Sequence, residues 1–238
     1  ISQDVCKLFR RDLSAHLVSG QYLYPSEWAQ LFRIARSLID QVNADASVIN
    51  HWTFGGGTAM MIQIDHRESH DVDIFVTDPQ ILQFLNPETT DFEFDIMPSA
   101  YDGDGSRFRK ISFQGIGEID FIAAPNLTAS PTVQVELEGA TVLLETVPEI
   151  IVKKICYRGA SIKPRDIFDI AAACRVCEKD LVEALRQYPA ETSRALATLD
   201  RLNPGFVAMA NAELMVKEGF LGILQSAQED ARRLLASV

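Results

Sequence analysis

Between residues 28 and 42 apolar side chains return at helical spacing: Trp28, Leu31, Ala35, Leu38 and Val42 stand 3, 4, 3 and 4 residues apart. That period gathers them into one stripe that must find a core, and Pro25 ahead of it suits a helix opening. From about residue 48 to 144 the period shortens towards two. Seven segments there predict strands: 48–54 (VINHWTF), 71–76 (DVDIFV), 92–97 (FEFDIM), 108–113 (FRKISF), 118–123 (EIDFIA), 132–137 (TVQVEL) and 140–144 (ATVLL). Glu138-Gly139 between the last two reads as a two-residue hairpin turn, and 58–65 and 79–85 as short helical connectors. Beyond Pro148 the pattern is helical to the end, broken near Lys163-Pro164, Pro189 and Asn203-Pro204-Gly205. The expected organisation is an α/β domain over 1–147, with its helices at the amino end, and a helical domain over 148–238.

Composition changes this picture little and charge changes it more. The 238 residues are 47% hydrophobic and 23% charged, ordinary for a globular chain long enough to bury its own core. No apolar run is long enough to cross a bilayer, and residues 1–11 carry no stretch resembling a secretory signal. Cys6, Cys156, Cys174 and Cys177 are too few and too unevenly spaced for a disulfide framework. Cys174 and Cys177 form a single C-x-x-C without a second pair, which favours helix thiols over zinc or redox chemistry. The expectation is a reduced, cytoplasmic protein without a membrane partner. Net charge is −11, and residues 61–106 hold eleven acids against one base, Arg67. Residues 153–165 reverse the bias with five bases and no acid. So divided a field can hold cations in one place and phosphates in another.

The sharpest local signal begins at Phe54-Gly55-Gly56-Gly57-Thr58 and continues, past a connector, in Asp71-Val72-Asp73. Glycines at the end of a strand let the chain turn sharply and let a ligand approach the backbone. Thr58 then opens a helix whose free amides suit a phosphate. Period two puts Asp71 and Asp73 on one face, where they repel each other unless a cation lies between them. Oxygen-only ligands of this kind suit Mg²⁺ shared with substrate phosphates. Asp120 in 118–123 can supply a third carboxylate, or a base for an attacking hydroxyl, and Asp95 in 92–97 occupies another predicted strand. Arg67 either contacts a phosphate or pairs with Glu68 or Asp71. His66 and His70 lack the spacing of a shared zinc site, and Trp28 and Trp52 read as core anchors.

At this point the sequence resembles the nucleotidyltransferases of the DNA-polymerase-β-like superfamily. The form G-G-T-A followed by H-R-x-S-x-D-V-D is similar to the AbiEii-type toxins of abortive-infection and toxin–antitoxin systems and their MenT relatives. Lys154 in PEIIVKKICYR and Arg165-Asp166-Ile167-Phe168-Asp169 match a later lysine and an R-D-hydrophobic-x-D motif of that branch. The resemblance spans 53–173 and implies a nucleotidyltransferase fold, a mixed sheet with helices closed by a helical domain. It implies that Asp71 and Asp73 hold two Mg²⁺ ions, with Asp120 on the catalytic one. Gly56, Gly57 and Thr58 would bind the triphosphate of an NTP such as ATP, Lys154 would neutralise its charge, and Asp166 would support catalysis. The implied reaction moves a nucleoside monophosphate to tRNA, another RNA or a protein, and a cognate antitoxin is an implied partner. A small-molecule acceptor of the antibiotic-modifying kind, or a binding module without turnover, stays open beside it.

Overall fold

The computed structural model describes residues 26–44 and 46–238, so the helix opening at Pro25 and Cys6 lie outside the described residues. A seven-stranded mixed sheet runs in the order β3-β4-β5-β2-β1-β7-β6. Its strands are β1 (Trp52–Gly55), β2 (Val72–Val76), β3 (Ala100–Gly103), β4 (Phe108–Phe113), β5 (Gly117–Ala123), β6 (Thr132–Leu137) and β7 (Ala140–Glu145). β1 pairs antiparallel with β2, and the pairings β2–β5 and β1–β7 are parallel. Helix α1 (Trp28–Val42) buries Leu31, Phe32, Ala35 and Leu38 in the core, as its stripe requires. Trp28 and Trp52 close that end as aromatic neighbours of Phe32, 6.5 and 6.2 Å between ring centroids. The turn from β6 to β7 has positive φ at both Glu138 (48°) and Gly139 (73°), the left-handed pair that a tight hairpin needs.

After β7 the chain is helical: α3 (Val147–Arg158), α4 (Pro164–Leu185), α5 (Pro189–Leu199), α6 (Pro204–Ala212) and α7 (Ala227–Ala236). Proline opens α4, α5 and α6, where its missing amide costs nothing. The apolar core is one cluster continuing from the sheet into these helices, with Ile167, Phe168 and Ile170 of α4 fully buried. Each such side chain stabilises the fold by roughly 1.5–3 kcal/mol relative to exposure. Among the described residues no helix is long and apolar enough to cross a membrane.

One expectation fails, and one strand was not expected. Residues 92–97 form no strand, although Phe92, Phe94 and Ile96 are partly buried in alternation with exposed neighbours. The segment is held to α1 at Glu93, where the Gln41 side chain donates to the Glu93 carbonyl (2.9 Å) and accepts from its amide (2.9 Å). A side-chain amide thus replaces the strand partner that the period of two had implied, and Asp95 is left exposed, away from the sheet. Conversely, β3 is a strand without an apolar alternation, an exposed edge paired to β4 alone. The thiols Cys156, Cys174 and Cys177 are free, and burial pushes Cys177 up to about 12, which disfavours its thiolate.

Candidate active site

A cleft of about 680 Å³ opens where the glycine turn, the central strands and α3 meet. Helix α2 (Gly56–Ile64) starts directly from β1, and its first amides have no intrahelical acceptor. Gly56 has φ +71°, and a Cβ there would lie 1.8 Å from Asp73 Oδ2. Only glycine lets the turn sit against that carboxylate. Gly56 and Gly57 line the cleft. Thr58 does not: it is fully buried and its hydroxyl donates to the Asp71 carbonyl at 2.5 Å. Its side chain therefore fixes the start of β2, and only its amide remains for a phosphate.

The sheet register aligns the acids. Gly55 lies opposite Asp73, Asp73 opposite Asp120, and Asp120 opposite Lys110, so four strands form one row. Asp71, Asp73 and Asp120 all line the cleft. Asp71 accepts the Glu118 amide at 3.2 Å, which ties it to β5. Burial pushes the Asp73 carboxyl up to about 7, helped by the Asp120 carboxylate and opposed by Arg158 and Lys154. Burial raises Asp120 as well, against the pull of Lys110. Lys110 Nζ lies 3.1 Å from Asp120 Oδ2 and also pairs with Glu118, while Asp120 Oδ1 is buried without a partner. The donors are all carboxylate oxygens and one is orphaned, which fits a hard divalent cation. Among the described residues no three acidic, His or Cys side chains already converge on one point. The exposed Asp95 takes no part in this row, and Asp120 is the acid that stands beside Asp73.

The opposite wall comes from α3 and α4. Lys154 donates to Asp166 at 2.7 Å and lies 3.0 Å from Asp169, both acids being fully buried. Arg67, buried too, sets its Nε and Nη2 on Asp169 at 2.7 and 2.9 Å and its Nη1 on the Glu68 carbonyl at 2.9 Å. Its partner is thus the aspartate of α4, not the carboxylates of Glu68 or Asp71. His66 meets the same Asp169 at 3.0 Å, and burial holds this ring below its ordinary pKa. Burial alone would raise the two acids, yet Lys154 holds Asp166 below its usual range and Arg67 with Lys154 holds Asp169 well below it. Asp166 accordingly orients Lys154 instead of facing the cleft. Nearer the rim stand the half-buried Arg158 and the exposed Lys163 and Arg165.

Three participants were not singled out from sequence. Lys110 stands in an ordinary-looking strand, and its place beside Asp120 depends on the β4–β5 register. Glu145 ends β7, accepting from Thr53 at 2.7 Å and from Lys153 at 2.5 Å. Lys153 in turn rests 4.0 Å above the Phe75 ring.

The sequence profile of the family described as nucleotidyl transferase AbiEii toxin, type IV toxin–antitoxin system, matches residues 38–232. No curated protein matches the chain. Among solved structures it is similar to MenT4, a nucleotidyltransferase toxin from Mycobacterium tuberculosis, at 14% identity and TM-score 0.51 over 88% of this chain and 84% of that one. It is also similar to JHP933 from Helicobacter pylori, at 14% identity and TM-score 0.44 over 90% and 92%. MenT4 at that identity speaks for the mixed α/β fold, and the family profile covers most of the chain. The chain belongs to the AbiEii family of nucleotidyltransferase toxins.

Proposed function

We propose that the chain moves a nucleoside monophosphate from an NTP to an RNA acceptor of the tRNA kind, in the cytoplasm, as a toxin restrained by a cognate antitoxin. Mg²⁺ held by Asp71, Asp73 and Asp120 would supply charge neutralisation at the reacting phosphates. One observation carries the reading: in a chain of net charge −11, the cleft is lined, among the described residues, by eight Lys and Arg residues against five acids. Such a balance suits a polyanion on one wall and metal on the other. An acceptor hydroxyl would attack the α-phosphorus, forming one P–O bond as the bridge to the β-phosphate breaks. Pyrophosphate leaves, and the hydroxyl proton passes to water.

The chain's own residues divide the remaining work. The amides of Gly56, Gly57 and Thr58 hold the triphosphate at the positive end of α2, and Lys154 takes up charge on the leaving group. Asp166 and Asp169 hold Lys154 and Arg67 in place. Arg158, Lys163 and Arg165 meet acceptor phosphates, a use that a small uncharged acceptor would not have for them. Incubation with each radiolabelled NTP, total tRNA and Mg²⁺ tests this. Label in RNA, lost with EDTA, is the expected result; label in protein, or in a small molecule only, would overturn the acceptor assignment.

A further inference from the structure

Among the described residues, Lys110 is the one cation in the cleft that touches the acid row itself. It projects from β4 opposite Asp120, two strands from Asp73, and lies 3.1 Å from Asp120 Oδ2 while also pairing with Glu118. Its side chain is 26% exposed, so water only partly screens it. We infer that Lys110 is an internal counter-cation occupying Asp120, so that the free protein takes one divalent ion on Asp71 and Asp73 and admits a second only with the nucleotide. The inference rests on the reading of these acids as metal ligands.

The argument is one of competition between cations. Asp120 has two oxygens: Lys110 holds one, and the other is buried without a partner. A divalent ion approaching that bare oxygen meets an ammonium on the same carboxylate, and the repulsion is strong where solvent is scarce. A triphosphate changes the balance, because it adds several negative charges and its own oxygens as metal ligands. It also offers Lys110 another anion. The wall with Lys154 does not compete in this way, since Asp166 and Asp169 already neutralise it.

Mn²⁺ binding to the whole chain tests this directly, by calorimetry or by the loss of the free-ion paramagnetic resonance signal. Wild type should bind one ion per chain, and a second in the presence of a non-hydrolysable NTP analogue. Lys110→Met, which keeps the stem and removes the charge, should bind the second ion without nucleotide, its affinity raised by about tenfold or more over wild type. Asp120→Asn added to that variant should abolish the second ion and leave the first. Lys110→Arg should behave as wild type. Arg107→Gln is the control: this residue also lines the cleft and its side chain is 83% exposed, so its loss tests the general field of the cleft without contact. Two ions in nucleotide-free wild type, no gain in a Lys110→Met protein of unchanged melting temperature, or an equal gain in Arg107→Gln would each overturn the inference. Failure of the underlying reading looks different: Asp71→Asn would then bind Mn²⁺ like wild type.

Discussion

On the sheet side of the cleft, Asp71 accepts one backbone amide, Asp120 shares Lys110 with Glu118, and Asp73 rises to about 7 through burial beside Asp120. On the helical side, Asp166 and Asp169 are fully buried, more deeply than the sheet acids, yet they stand among Lys154, Arg67 and Arg158 and fall below their usual range. The same residue type is thus set in opposite electrostatic states about one cleft. Buried acids that are fully paired hold the architecture; buried acids left short of partners store repulsion that a bound cation would relieve. Substitution should therefore separate the two walls: the sheet acids affect turnover with little cost to folding, and the helical acids affect folding itself.

The largest effect is expected at the sheet wall. Asp71→Asn keeps shape and removes charge, so transfer should fall by roughly 10²–10⁴, the scale of losing several kcal/mol of charge stabilisation. Its metal-free melting temperature should be unchanged or higher. An Asp71→Asn protein that transfers normally, or one that fails to fold, would erase the contrast. Asp169→Asn is the complementary substitution. It leaves Arg67 and Lys154 buried with less negative charge between them, and removing one partner of a buried pair costs about 3–5 kcal/mol. Urea unfolding should show that loss. A stability close to wild type would mean that water reaches this network.

A third test uses protons in place of substitutions. Asp73 holds its proton to about 7 in the folded chain, against an ordinary 3.8. The folded state therefore binds that proton more tightly than the unfolded state. The stability it contributes is fully present below about pH 4 and is lost as pH rises through about 7. Metal-free protein should accordingly lose a component of stability between pH 4 and 7 that Asp73→Asn lacks; in a chain of this size about 1 kcal/mol moves the melting temperature by roughly 2–4 °C. Melting curves of both proteins across that range check it, and identical slopes would refute it. Mn²⁺ should reverse the sign, because the ion displaces the proton and binds less well below pH 7.

The sheet wall was the more legible of the two in sequence, and the reason is locality. Glycine turn, helix and acid strand are consecutive, so period and spacing alone place Gly56, Asp71 and Asp73 together. Asp120 needed one further step, the assumption that two strands are neighbours, which the parallel register of β2 and β5 bears out. The same reasoning misjudged residues 92–97, because alternation reports burial on one face and not the presence of a partner strand. Lys110 and the meeting of Arg67 with Asp169, 102 positions apart, were invisible: both depend on how distant elements dock. Docking here is specified by backbone pairing between distant segments. The Lys217 amide donates to the His66 carbonyl at 3.1 Å and the Glu68 amide to the Met215 carbonyl at 2.9 Å, fastening the Arg67 loop to the helical half.

The smallest expected effect lies at the rim, where the helical wall stops being paired. Arg158 is 3.7 Å from Asp166 with its side chain 42% exposed, and Lys163 is exposed. Neither can contribute much to stability, because exposed pairs are worth at most about 1 kcal/mol. Their surplus charge is available to an acceptor. Changing Arg158 and Lys163 together to Ala should leave the melting temperature nearly unchanged and weaken tRNA binding. The dependence of log affinity on log salt should flatten by up to about two units, one for each phosphate that no longer meets a cation. Binding measured across a salt series for wild type and the double variant decides it. A parallel, unshifted line would return these two side chains to ordinary surface charge and leave Arg165 as the exposed cation of the rim, beside Lys154 and Arg67, already committed to Asp166 and Asp169. Since Lys154 and Arg67 are satisfied internally and Arg165 alone offers a single phosphate contact, the wall would attract an RNA only weakly, and an acceptor with little or no charge would then fit the cleft better.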